Sequence, residues 1–312
     1  MKAIVYDKKN KTDFMVLREV EKPIVKDDQV LVKIYNTSLN AADYRSIKMG
    51  IVPDGRILGA DIAGVVEAIG MNVKKFKVGD AVFGDLSGCG FGGLAEYVAA
   101  PENVLAGIPQ GVSFDVASAL PMASLTALQG MRLGKIQAGQ KVLIYGAGGG
   151  VGTFAVQLAK QFDTEVTAVC GTRNVETIKA LGADTVIDYT REDFSSRTTR
   201  YDLVLVLNGN RSISSYRNVM APKGICVMSG GSLSQLLKFT LLGPLYSIGN
   251  KKMRLLSAKP DTADLEFVVR LVEEGKVRAV IDKRYNLEET LDAVRYLNEG
   301  HAKGKVVVGM NL

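Results

Sequence analysis

Histidine occurs once in the 312 residues, at His301, and cysteine three times, at Cys89, Cys170 and Cys226. Three widely separated cysteines with no CxxC pair exclude a disulfide framework and a thiolate metal site, and one histidine cannot make up the protein ligands that zinc needs. The same cysteine usage fits a reducing, cytoplasmic compartment. Lysine and arginine outnumber aspartate and glutamate by 39 to 33, but the excess is scattered, with no basic run of the kind that follows a nucleic-acid backbone. A small anionic ligand accounts for it, and nucleic acid is not expected as a partner. Long apolar runs are missing too. The most apolar stretch outside the core strands, residues 236–248, is shorter than the roughly 18 residues a crossing takes, and Lys238, Gly243 and Pro244 interrupt it. No membrane span is expected, while peripheral attachment stays open. The opening residues MKAIVYDKKN carry no apolar core of a signal peptide.

Apolar residues make up 47% and charged residues 23%, the proportions of a globular chain that buries a sizeable core. The length suits two domains. Up to about Leu105, β-branched and aromatic runs at 3–6, 29–36, 64–69, 81–83 and 94–99 alternate with Gly, Asp and Pro clusters, as in an all-β, barrel-like unit. Helical spacing takes over near Ser113. After Gly139 six short, nearly continuous apolar strands follow, at 141–145, 165–170, 185–188, 201–207, 224–229 and 253–257, with helices between the early ones. Such strands belong to a parallel sheet covered on both faces. The helices at 262–274 and 287–299 and the strand at 305–309 break this rhythm and are assigned back to the first domain. The expected division is 1–115 with 260–312, and 116–259, an α/β architecture in which a doubly wound domain is inserted into a β-barrel one.

The strongest motif is Gly146-Ala147-Gly148-Gly149-Gly150-Val151-Gly152, which follows an apolar strand and opens a helix. Glycine permits a tight turn and close approach of backbone to phosphate, and the free amides at the helix start attract the anion. Gly146, Gly149, Gly150, Val151 and Gly152 are therefore expected to hold a dinucleotide pyrophosphate. The spacing is GxxGxxG, and the missing Gly-Lys-Ser/Thr ending excludes a nucleoside-triphosphate loop. Folds that prefer NAD place a carboxylate at the end of the second strand; here that strand runs into Gly171-Thr172-Arg173-Asn174. Glu165 lies at its other end, on the far side of the sheet from the phosphates. With no carboxylate there, Thr172 and Arg173 are expected to receive a 2′-phosphate, which favours NADPH.

Taken with Thr37-Ser38-Leu39-Asn40-Ala41-Ala42-Asp43-Tyr44, Gly59-Ala60-Asp61-Ile62-Ala63-Gly64, Val78-Gly79-Asp80-Ala81-Val82, Gly92-Gly93-Leu94-Ala95-Glu96-Tyr97 and Leu181-Gly182-Ala183-Asp184, these residues resemble the medium-chain dehydrogenase/reductase superfamily over essentially the whole chain. The stretches Gly171-Thr172-Arg173-Asn174 and His301-Ala302-Lys303-Gly304-Lys305-Val306 are most similar to its quinone oxidoreductase branch, near the alkenal/one oxidoreductases and the chloroplast envelope quinone oxidoreductase homologues. The resemblance implies a GroES-like β-barrel catalytic domain and an inserted Rossmann domain. Zinc-dependent members hold catalytic zinc with a Cys where this chain has Asn40 or its neighbours, and with a His-Glu pair where it has Ala60-Asp61; no metal site is expected.

Without a metal, hydride transfer needs an acceptor that is already electron-poor, such as a quinone or an α,β-unsaturated carbonyl compound, small and hydrophobic. By resemblance Asn40 and Thr126 face the nicotinamide end, and Tyr44 can donate a hydrogen bond, and then a proton, to the acceptor oxygen. Tyr189 resembles the aromatic beside the adenosine phosphate, and Asn208, Ser229 and Lys305 border the cofactor. A homodimer through the edge strand near 253–257 is implied as well. Two other readings remain at this level: an NADPH-binding structural or regulatory protein with vestigial catalysis, and a zinc alcohol dehydrogenase.

Overall fold

The computed structural model describes residues 1–10, 14–50 and 52–310. The chain divides into two units, Met1–Leu125 with Lys259–Leu312, and Thr126–Ala258.

In the first unit β1 (Lys2–Tyr6) and β2 (Met15–Glu19) pair as an antiparallel ribbon, and β3 (Gln29–Leu39) is the central strand of the main sheet. After β3 the chain turns into α1 (Ala41–Lys48), then forms β4 (Asp61–Ile69), β5 (Ala81–Asp85), β6 (Tyr97–Pro101), β7 (Leu105–Gly107), α2 (Phe114–Ser118) and α3 (Pro121–Leu133), which runs on into the second unit from Thr126. β3 is longer than its apolar run suggests, because residues 36–38 pair on both sides, with β4 and with a strand from the far end of the chain. The interior is aliphatic, built on Val30, Val32, Ile34, Ile62, Val66, Val82 and Leu105.

The second unit is an alternation of strand and helix: β8 (Lys141–Tyr145), α4 (Gly150–Lys160), β9 (Glu165–Cys170), α5 (Val175–Ala180), β10 (Thr185–Asp188), β11 (Tyr201–Val206), α6 (Ile213–Asn218), β12 (Met220–Met228), α7 (Leu233–Tyr246) and β13 (Lys252–Leu255). All five pairings are parallel, in the order β10-β9-β8-β11-β12-β13. Counted from β8 this is 3-2-1-4-5-6, the doubly wound order whose direction reverses between the first and fourth strands, where such sheets bind ligands. β12 begins four residues earlier than its apolar run, at Met220, and the register with β11 shifts after Tyr201. Pro222 falls in that irregular part, where no ladder hydrogen bond is lost. Tyr145, Phe194 and Tyr216 close one face with ring centroids 5.3 to 5.7 Å apart.

The chain then returns to the first unit as α8 (Thr262–Glu273), β14 (Ile281–Asn286), α9 (Thr290–Asn298) and β15 (Lys305–Gly309), with β15 antiparallel to β3 and parallel to β14. β14 was not expected: its sequence Ile-Asp-Lys-Arg-Tyr-Asn lies at the sheet edge, where polar side chains meet solvent.

Candidate active site

The carboxyl ends of the parallel strands gather most of the expected cofactor residues in one place. β8 ends at Tyr145, and Gly146 turns the chain in the left-handed region, at φ 89°. Gly149 is the extended residue that opens α4, so the amides of Gly150, Val151 and Gly152 are among those left without a partner inside the helix. A side chain at Gly149 would meet nothing nearer than 3.9 Å, whereas one at Gly152 would lie 2.3 Å from the Gly146 carbonyl oxygen. The turn is thus open on the side where a phosphate would approach and closed where helix meets strand, and it fits a dinucleotide pyrophosphate.

Next along the edge, β9 runs into Gly171, Thr172 and Arg173. A side chain at Gly171 would press on the Tyr189 hydroxyl at 3.0 Å, so the phenol of Tyr189, half-exposed after β10, stands directly beside this loop. Arg173 is exposed and forms no ion pair among the described residues. Thr172 differs from expectation. Its hydroxyl donates to the Asp188 carboxylate at 2.6 Å and shares a hydrogen bond with Thr190. A carboxylate therefore does stand at this edge, supplied by the third strand in place of the second. The Thr172 bond, with those from Thr190, holds Asp188 below the usual carboxylate range, and the Arg191 guanidinium lies 3.6 Å away. Glu165 sits at the opposite end of β9, 3.6 Å from the Lys141 ammonium. Asn208, exposed after β11, presents its backbone nitrogen 3.2 Å from where a Gly146 side chain would begin, and the Ser229 amide donates to the Val206 carbonyl at 2.7 Å. Thr126 lies on α3, nearly buried, away from these strand ends in sequence.

The first unit holds a second constellation. Strand order β15-β3-β4 brings together Lys305, the end of β3 and Asp61. The Lys305 ammonium, buried, donates to Asn40 Oδ1 at 2.6 Å, to Asp61 Oδ2 at 3.2 Å and to the Leu39 carbonyl at 3.3 Å. Asp61 Oδ2 also accepts from the Ser38 hydroxyl at 2.7 Å and from Asn40 Nδ2 at 2.8 Å, and its Oδ1 from the Met122 amide at 2.9 Å. An ammonium on one side and a carboxylate on the other fix which way the Asn40 amide points. Lys305 spends all three of its donors here, so a role at the cofactor by direct contact would require it to leave this network. Sequence reading placed Lys305 near the cofactor but could not supply its partners; Ser38 and Asp61 were visible only as parts of motifs.

Asn40 also begins α1, and its own amide donates to Asp43 Oδ2 at 2.7 Å. Asp43 Oδ1 has no partner among the described residues. Burial, helped by Asp61, pushes the Asp43 carboxyl up to about 7, and burial with Asp61 pushes Asp85 up to about 6. Since the folded Asp43 keeps its proton to a higher pH than the unfolded chain does, its contribution to stability is present below about pH 4 and lost as pH rises through 7. Asp43→Asn, which retains an acceptor for the Asn40 amide, is therefore expected to raise the unfolding free energy by roughly 2 to 4 kcal/mol at about pH 8 and to change little at about pH 4. Urea unfolding at the two pH values measures this. Tyr44, one residue on, is partly buried, with the Arg45 guanidinium 5.9 Å from its ring centre. His301 is exposed, and no three His, Cys, Asp or Glu side chains among the described residues are grouped to hold a metal ion.

Known proteins are similar to this chain in sequence and fold. Residues 26–110 match the alcohol dehydrogenase GroES-like domain, and residues 181–308 match the zinc-binding dehydrogenase family. A chloroplast envelope quinone oxidoreductase homolog of Arabidopsis thaliana is 36% identical over 307 residues, which span 93% of this chain and 92% of that one. An NADPH-dependent alkenal/one oxidoreductase of the same plant is 32% identical over 323 residues, 99% of this chain and 79% of its own. The quinone oxidoreductase structure from Coxiella burnetii matches with a TM-score of 0.89 at 31% identity, covering 100% of this chain and 99% of that one. The chain belongs to the medium-chain dehydrogenase/reductase superfamily, in its quinone oxidoreductase branch. Like the dehydrogenases of that superfamily it is an oxidoreductase served by a nicotinamide cofactor. In this member Asn40 and Asp61 are joined through the buried ammonium of Lys305.

Proposed function

We propose that this chain is an NADPH-dependent oxidoreductase that passes hydride to quinones or α,β-unsaturated carbonyl compounds without a catalytic metal. The observation that supports the reading is the Lys305 ammonium held by Asn40 and Asp61, in a region where the resemblance sets Asn40 or its neighbours and Ala60-Asp61 against the Cys and the His-Glu pair of zinc-dependent members. With a protein cation fixed there, activation falls to the acceptor, and quinones and enones already spread incoming charge onto oxygen. A bound nicotinamide dinucleotide supplies the hydride.

The residues divide the remaining work. Gly146, Gly149, Gly150, Val151 and Gly152 bind pyrophosphate through backbone amides and the helix start. Gly171 leaves room for the adenosine ribose, Tyr189 flanks it, and Arg173 meets the 2′-phosphate. Thr172, whose hydroxyl is given to Asp188, helps through its backbone. Thr126, Asn208 and Ser229 line the nicotinamide half, and Lys305 acts on it through Asn40. Tyr44 donates a hydrogen bond to the acceptor oxygen as charge builds there, and then its proton. Residues 1–115 and 260–312 handle the acceptor and 116–259 the dinucleotide. No helix among the described residues is long and apolar enough to cross a membrane. Pairing of two copies along the open edge of β13 would make a homodimer, and three free cysteines suit the cytoplasm.

Purified protein is expected to oxidise NADPH with benzoquinones, naphthoquinones, acrolein and longer alkenones, and product analysis then separates C=C from C=O reduction. In the same assay Arg173→Ala is expected to weaken NADPH roughly tenfold to a hundredfold, the value of a charge-assisted hydrogen bond, and to leave NADH nearly unchanged. Equal losses for both cofactors would remove Arg173 from the phosphate site. Tight NADPH binding with no turnover on any acceptor would point instead to a regulatory role.

A further inference from the structure

α7 is apolar on all sides, and only one side is used. Phe239 is buried, and Leu236 and Tyr246 pack with it against the core under β11 and β12. On the opposite side Leu237, Leu241, Leu245 and Ile248 follow one another at helical spacing and are 54%, 72%, 62% and 69% exposed, with Leu242 beside them at 40%. An aliphatic stripe of this size on a surface helix marks an interaction site.

The charge around it has one sign. Between Asp202 and Asp261 the chain contains no aspartate or glutamate and eight lysines and arginines, more than its whole net charge of +6. Four of the eight lie on α7 or at its C-terminal end. Lys238 is exposed on α7 itself. Arg217 donates to the carbonyls of Tyr246 and Ile248, Lys251 to the carbonyl of Arg217, and Lys252 to that of Gly249. Each of these bonds goes to a neutral carbonyl, and none of the four cations has a carboxylate partner among the described residues. Burial, and then repulsion from Arg217 and Arg200, hold the Lys251 ammonium below its usual value.

We infer that α7 and the turn after it form a docking surface for a bilayer containing anionic lipid, the leucines entering the acyl boundary and the cations, which have no carboxylate partner, meeting the phosphates. An apolar helix too short to cross, with cations on it and on the turn that follows, combines the two attractions that hold a peripheral protein to an anionic bilayer. The inference does not depend on the enzymatic reading, because vesicle binding is measured without substrate.

The test is flotation of the full chain with vesicles of phosphatidylcholine alone or of phosphatidylcholine with phosphatidylglycerol, at low and high salt. Binding is expected only to the phosphatidylglycerol vesicles, weakening with salt. Lys238→Gln and Lys252→Gln should each lower the partition roughly fivefold at low salt, and Leu241→Ser with Leu245→Ser at least about tenfold. Absence of binding, or equal binding to both vesicles, overturns the proposal, and the wild-type protein alone decides this. Loss of a dimer in the Leu241→Ser, Leu245→Ser variant, seen by light scattering, also overturns it by assigning the stripe to a second copy.

Discussion

Lys305→Met is expected to lower the free energy of unfolding by roughly 3 to 5 kcal/mol, the cost of leaving a buried charge without its counterion. Asp61 would keep the Ser38 hydroxyl, the Asn40 amide and the Met122 amide as donors, but would lose the ammonium that neutralises it. Asn40 Oδ1 would lose its 2.6 Å partner at the same time. Methionine fills a similar volume, so packing contributes little to the loss. Combining Lys305→Met with Asp61→Asn removes both charges and is expected to recover most of the stability. Denaturant unfolding of the two single variants and the double variant gives the coupling directly. A coupling energy below about 1 kcal/mol would show that the pair is not held as an ion pair in the protein.

Gly152→Ala should be nearly as damaging, and by a different route. The new methyl group would lie 2.3 Å from the Gly146 carbonyl oxygen and 2.5 Å from the Ala147 backbone, none of which is a flexible side chain. To make room, the start of α4 must move away from the end of β8, and with it the amides that face the phosphate. A loss of roughly 2 to 4 kcal/mol in stability is expected, together with about a hundredfold or greater weakening of dinucleotide binding. Gly149→Ala is the control, since its methyl group meets nothing closer than 3.9 Å; it should fold normally and show only the binding defect. Calorimetric titration beside thermal melting separates the two effects.

The parallel sheet was legible because its strands are buried on both faces and read as unbroken apolar runs, and the glycine turn because its chemistry is local. What escaped was set by partners distant in sequence. β14 carries Asp282, Lys283 and Arg284 and reads as a loop until β15 is beside it. α7 holds Gly243 and Pro244, which read as breakers, yet the helix continues through both. Asp188 follows three β-strand residues and gave no sign that it would take the Thr172 hydroxyl. Asp61 and Asp43, each close to apolar residues, were readable as motif members but not as buried charges. Only the strand order that sets β15 beside β3, and β3 beside β4, joins them to Lys305.

That order also bears on how the molecule is made. Lys305 and Asp61 are 244 residues apart, and the intervening second unit is one continuous stretch with its own sheet. As the chain leaves the ribosome, the second unit can complete its fold from local and neighbouring strands, while β3 and β4 wait, already synthesised, for their last neighbour. Asp61 therefore spends most of translation without its cation, and the nascent barrel is the part of this protein most exposed to chaperones and proteases.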